Sequence, residues 1–157
     1  MLLSFSVDEM RPMIEAGLRQ RNGHDVGTAR VKRQTIRALK ARGKAILDAA
    51  KPNDWRCPYD LHLWWKSRTP ARALLGVVDG ARAMPVMIRH SLLMRGSVEI
   101  VTAVQGGKMD IIVGLPSEGS GRAYDFARAD GFEGLDDFIE FFVPRQCDVF
   151  EGVLFTW

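Results

Sequence analysis

The sequence predicts an α+β domain: a mixed, mostly antiparallel sheet or small barrel with helices at its periphery. Three observations carry this. Segments with the two-residue alternation of half-buried strands outnumber those with helical spacing. The helical segments do not alternate strictly with strands, as a parallel sheet would require. A chain of 157 residues, 46% hydrophobic and 26% charged, has the size and composition of one globular domain, here residues 1–157. No run approaches the roughly 18 apolar residues of a membrane span. Residues 1–12 lack the basic start of a secretory signal. A cytoplasmic protein without a membrane partner is expected, with Cys57 and Cys147 as reduced thiols. The two cysteines and His24, His62 and His90 make no metal-ligand spacing, so neither a metal nor a cofactor is expected. The sequence does not specify an oligomeric state.

Residues 2–6 alternate and read as a short strand. A helix follows, with Ser6 or Asp8 as its cap and Met10, Met13, Ile14 and Leu18 on its apolar face. Residues 19–30 are polar, contain Asn22-Gly23, and read as a loop. Residues 38–50 look helical. Residues 59–67 give the clearest strand, with Leu61, Leu63 and Trp65 alternating against His62, Trp64 and Lys66. Residues 84–93, 97–104 and 108–114 are strand-like, with a Gln105-Gly106-Gly107 turn before the last of them. Residues 115–123, which include Ser117, Glu118, Ser120 and Arg122, form a loop. Residues 124–130 form a helix stopped by Gly131. Leu135, Phe138, Ile139 and Phe142 line one face of a helix over 135–142, and residues 148–157 close the chain as a strand. The strands near 2–6, 59–66 and 148–157 are expected in one sheet.

Residues 31–37 are short and odd. In an extended chain Ile36 points one way and Thr35 and Arg37 the other. Val31 and Ile36, five apart, cannot both face one side of an unbroken strand. A bend between them buries both and brings Lys32 toward Thr35.

Charge is divided along the chain. Residues 1–72 hold 15 Lys and Arg against 7 Asp and Glu, and residues 73–157 hold 7 against 12. Residues 30–44 contain Arg30, Lys32, Arg33, Arg37, Lys40, Arg42 and Lys44 and no acid. The bland reading of such a run is a solvated surface. Seven cations without a balancing acid also repel one another, and they attract a phosphate backbone through counterion release.

Three segments stand in a telling order: the strand and helix of residues 2–20, Val31-Lys32-Arg33-Gln34-Thr35-Ile36-Arg37, and Ala129-Asp130-Gly131-Phe132 before a Leu-x-x-Phe helix and a closing strand. This order resembles the ASCH family, whose domains have a fold similar to the PUA domain of RNA-modifying proteins. The resemblance spans nearly the whole chain, with residues 40–58 and about 95–122 poorly matched. It implies a PUA-like, mostly antiparallel β-barrel with peripheral helices. The family's lysine falls on Lys32, its threonine on Thr35 and its arginine on Arg37. Arg30 replaces a glycine of the pattern, and Asp130 stands where the family has the longer glutamate.

The resemblance implies an RNA- or nucleotide-binding protein with a basic cleft. The alternative it carries is a hydrolase, acting on RNA or on a modified nucleoside such as N4-acetylcytidine. In that case Lys32, Thr35 and Asp130 are the catalytic set. A threonine hydroxyl is a weak nucleophile that needs a base within about 3 Å, and a lysine serves once burial or neighbouring cations depress its pKa. Arg30, Arg33, Arg37, Lys66 and Arg68 are the nucleic-acid-binding candidates, since a guanidinium contacts phosphate with two hydrogen bonds. Trp64 and Trp65 point to opposite faces, so one is core and the other is free to stack on a base.

Lys32, Thr35, Arg37 and Asp130 are therefore expected in one cleft, with Phe132 as apolar anchor of the Asp-Gly-Phe turn. A contact of about 3 Å between Lys32 and Asp130 favours a charged lysine and binding. Thr35 on Lys32, with Asp130 standing off, favours hydrolysis.

Overall fold

The computed structural model describes residues 1–50, 54–90, 96–104, 108–116, 119–145 and 148–157. The fold is α+β, with eight strands in two mostly antiparallel sheets and four helices among these residues. The Gln105-Gly106-Gly107 turn, Ser117, Glu118, Cys147 and the end of the strand expected at 84–93 lie outside them. No helix among the described residues is long and apolar enough to cross a membrane.

The first sheet has the order β1-β3-β4. β1 (Leu2–Phe5) runs parallel to β3 (Leu61–Trp65), and β3 pairs antiparallel with β4 (Ala73–Val78). β4 was not expected. Its Ala-Leu-Leu-Gly-Val-Val run does not alternate, and the pairing shifts register between Leu63 and Trp64. The second sheet is antiparallel throughout, with the order β2-β8-β5-β6-β7. Its strands are β2 (Gln34–Ala38), β5 (Arg82–His90), β6 (Val98–Ala103), β7 (Met109–Gly114) and β8 (Val149–Thr156).

Two expectations are corrected here. Residues 2–6 and 59–66 do share a sheet, but 148–157 belongs to the other one. Among the described residues the sheets do not close into one barrel. Alternation reveals which side chains face inward, not which strand supplies the hydrogen bonds. Val153 and Phe155 of β8 share a core with Leu3, Phe5, Leu61, Leu63 and Trp65, while the β8 backbone pairs with β2 and β5. Leu154, on the opposite face of β8, joins a second core with Ile36, Ile88 and Ile100. Over that core lie α3 (Arg122–Ala129) and α4 (Leu135–Phe142), through Ala127, Leu135, Phe138 and Phe142. Each large apolar side chain fully buried there contributes about 1.5–3 kcal/mol.

α1 (Met10–Arg21) packs Met13, Ile14 and Gly17 inward. It starts later than the expected cap: Glu9 is the N-cap, and neither Ser6 nor Asp8 fills that position. It also runs through Gly17 into the expected loop, because Arg19–Arg21 face solvent and Arg21 reaches Asp79 at 2.8 Å. α2 (Ala41–Ala49) buries Ile46.

Candidate nucleic-acid interface

The C-terminus of α3 builds the centre of the site. Gly131 has φ +97°, a left-handed conformation that glycine adopts without steric cost. Its N–H donates to the Arg128 carbonyl at 3.0 Å, and the Phe132 N–H donates to the Ala127 carbonyl at 3.1 Å. Those two bonds close the helix in a Schellman turn. Phe132 then packs edge-on against Phe138 with ring centroids 5.3 Å apart, which makes it the anchor the sequence suggested. Asp130, the C-cap, is left pointing into the protein.

Lys32 meets it there. The Lys32 N–H donates to the Met13 carbonyl of α1 at 2.9 Å, and the Arg33 N–H donates to the Ala129 carbonyl at 3.2 Å. Regular strand begins only at Gln34; residues 30–33 are irregular with neither turn nor bend, and Val31 is only half-buried, so the expected bend that buries both Val31 and Ile36 is not found. Lys32 Nζ lies 2.6 Å from Asp130 Oδ1 and also donates to the Asp130 backbone carbonyl. The cation thus sits where the helix dipole is negative. The Asp130 carboxylate accepts a further bond from the Ile36 N–H. It therefore ties Lys32 to the start of β2.

Lys32 is 1% exposed and Asp130 4%. Burial pulls the Lys32 ammonium below its ordinary pKa, against the opposing pull of Asp130, and Arg37 adds to the lowering. Burial likewise pushes the Asp130 carboxyl up, against Lys32, Arg37 and the Ile36 N–H. Both ions exist in this interior because each has the other.

Thr35 is buried on the same strand face as Arg37, opposite Phe155. The Lys32 ammonium bonds to Asp130 and not to Thr35. Arg37 Nη2 donates to the Ser4 carbonyl at 2.9 Å, and its guanidinium lies 5.1 Å from the centroid of the Phe5 ring. Burial lowers the Arg37 pKa, with Asp130 opposing. Lys32, Asp130 and Arg37 do come together, but not on an open cleft: Lys32 and Asp130 fill the interior, only Arg37 lines the surface groove, and Thr35 is buried on β2 without a bond to either ion.

What Arg37 reaches is a groove of about 620 Å³. Its walls are the ends of β1 and β2, the start of α2 and the turn after β3. Five cations line it: Arg37, Lys40, Arg42, Lys66 and Arg68. No carboxylate does. Lys66 has φ +43°, a left-handed conformation that costs a lysine about 1–3 kcal/mol. The turn holds it there: its N–H donates to the Phe5 carbonyl, and Thr69 Oγ1 donates to the Lys66 carbonyl. Its ammonium is 3.0 Å from Asp8, which stands outside the groove.

Arg37, Lys66 and Arg68, three of the expected nucleic-acid-binding residues, all line this groove. Lys40 and Arg42 were not singled out, although both lie in the acid-free run. The structure places Arg30 and Arg33 elsewhere, in a separate depression beside α3 that Tyr124 and Arg128 also line. The Arg30 guanidinium pairs with Glu133 and donates to the Gly131 and Phe132 carbonyls, so it clamps the turn that carries Asp130. Trp65 is buried and Trp64 half-buried, and neither lines the groove. Among the described residues no cluster of His, Cys, Asp or Glu suits a metal ion, and Cys57 is a buried free thiol.

In comparisons with known proteins, no family model, no curated protein and no solved structure matches the chain.

Proposed function

We propose that the protein is a cytoplasmic RNA-binding module, an ASCH-like domain with a PUA-like fold, and that it holds RNA phosphates in the groove beside Arg37. One observation carries this reading: five cations from two separate stretches of the chain, residues 37–42 and 66–68, line a single groove without a carboxylate. Phosphates bound there displace condensed counterions, which makes binding favourable and salt-dependent. The alternative, hydrolysis by Lys32, Thr35 and Asp130, requires a substrate to reach an ammonium that is 1% exposed and already bonded to Asp130. The Lys32–Asp130 contact instead supports a role in positioning: Asp130 holds Lys32 and the Ile36 N–H together at the start of β2, the strand that presents Arg37.

Fluorescence anisotropy with a labelled single-stranded RNA tests the reading. Binding is expected at low salt, with a log–log salt slope of about −0.7 for each phosphate contacted. Arg68→Ala should flatten that slope by about 0.7, and Arg33→Ala, in the other depression, should leave it unchanged. RNA binding that is undetectable at low salt overturns the proposal.

A further inference from the structure

Resting on that reading, we infer that the groove recognises a run of consecutive phosphates along a single strand and makes no contact with base faces. The ligand class is therefore the sugar-phosphate backbone, not a nucleoside or a particular base sequence.

The first support is how the cations are spread. Arg37 comes from β2, Lys40 and Arg42 from the start of α2, and Lys66 and Arg68 from the turn after β3. Cations placed on three walls suit several phosphates better than one. The second support is what the groove lacks. Base recognition on single strands relies on open aromatic faces. Phe155 is the one aromatic residue in the lining, and it is 1% exposed. The neighbouring rings are already covered by groove cations: Arg37 lies over Phe5, and the Lys66 ammonium lies 5.1 Å from the Trp65 ring centroid. The same side chains that offer charge to the ligand thus withhold the rings beneath them.

The third support is a local conflict at α2. The first turn of a helix favours acids, because the dipole is positive there. α2 has no acid in its first turn; Lys40 is its N-cap, without a side-chain cap bond, and Arg42 follows two residues later. These two cations repel the helix end and one another. An anion in the groove beside them relieves that conflict, which gives the arrangement a use that helix stability does not. Lys40 and Arg42 are both exposed and both line the groove.

Competition anisotropy on the full chain tests the inference. Unlabelled oligo(U), oligo(A), oligo(C) and an abasic ribose-phosphate oligomer of equal length compete against a labelled RNA, with N4-acetylcytidine in a parallel arm. All four oligomers are expected to compete within about threefold of one another, as sequence-tolerant backbone contacts predict, and the nucleoside not at all. The Lys40→Glu/Arg42→Glu double variant should bind at least about tenfold more weakly, with a salt slope shallower by about 1.4, the value for two lost contacts. Its thermal melt, followed by circular dichroism, should lie at or above that of the parent protein, since acids suit a helix start. A preference of more than tenfold among the homopolymers, competition by N4-acetylcytidine, failure of the abasic oligomer, or unchanged binding by a folded double variant overturns the backbone inference and leaves RNA binding intact. Absence of binding to every oligomer overturns both.

Discussion

Replacing Asp130 with alanine is expected to lower the unfolding free energy by about 3–5 kcal/mol, a large share of the roughly 5–15 kcal/mol that holds a domain together. The substitution leaves the Lys32 ammonium buried without its carboxylate. Lys32 is almost wholly enclosed, between Met13 and Phe5, so it does not regain water without opening the structure. Urea denaturation measures the loss. The joint variant Lys32→Met/Asp130→Leu removes both charges and should recover most of it, since apolar groups of similar size replace a buried pair at little cost. The deficit of Asp130→Ala should also shrink at alkaline pH. Burial holds the Lys32 pKa below its unfolded value of about 10.4, and removing the Asp130 carboxylate takes away the charge that opposes it. The unfolded state then binds more protons than the folded one, so stability rises with pH across that interval. A loss below about 1 kcal/mol, or a double variant no better than the single, would show that the pair does not hold residues 32–36 in place.

The second large effect is expected at Gly17. In an exposed helix a glycine-to-alanine change is stabilising by about 1 kcal/mol. Here the sign reverses. A Cβ on Gly17 would lie 2.2 Å from the Lys32 carbonyl oxygen. That carbonyl belongs to a segment which cannot yield: its amides bond to Met13 and Ala129, and its side chain is fixed to Asp130. Gly17→Ala must therefore push α1 away from residues 31–32. We expect a loss of about 1–3 kcal/mol, the usual range for overpacking, read as a lower urea midpoint at unchanged slope. Gly17→Ala that is neutral or stabilising would contradict the close approach.

These two residues mark how far the sequence carried. The bend expected between Val31 and Ile36 rested on both being buried, and it failed because Val31 is only half-buried and stands before β2 begins. The meeting of Lys32 with Asp130 was legible through resemblance and charge. The role of Gly17 was not legible, since nothing local reveals which backbone will press against it. β4 was hidden because an apolar run without alternation does not announce a strand. The assignment of β8 failed for a different reason: its inward residues face the core of the first sheet while its hydrogen bonds serve the second. Lys40 and Arg42 were present in the acid-free run, and a signal was available in cations standing where a helix favours acids.

Lys32 and Asp130 lie 98 positions apart, and β2, an edge strand, takes β8 as its neighbour. During synthesis the first forty residues therefore emerge with a lysine that has no counter-ion and a strand that has no ladder. The lysine keeps its hydration shell, and its segment stays in water, until Asp130 has been made; β2 waits longer, for residues 149–156. Closing so long a loop carries an entropic cost before any contact repays it. The chain is expected to fold late and as one unit, more slowly than a helical protein of its length.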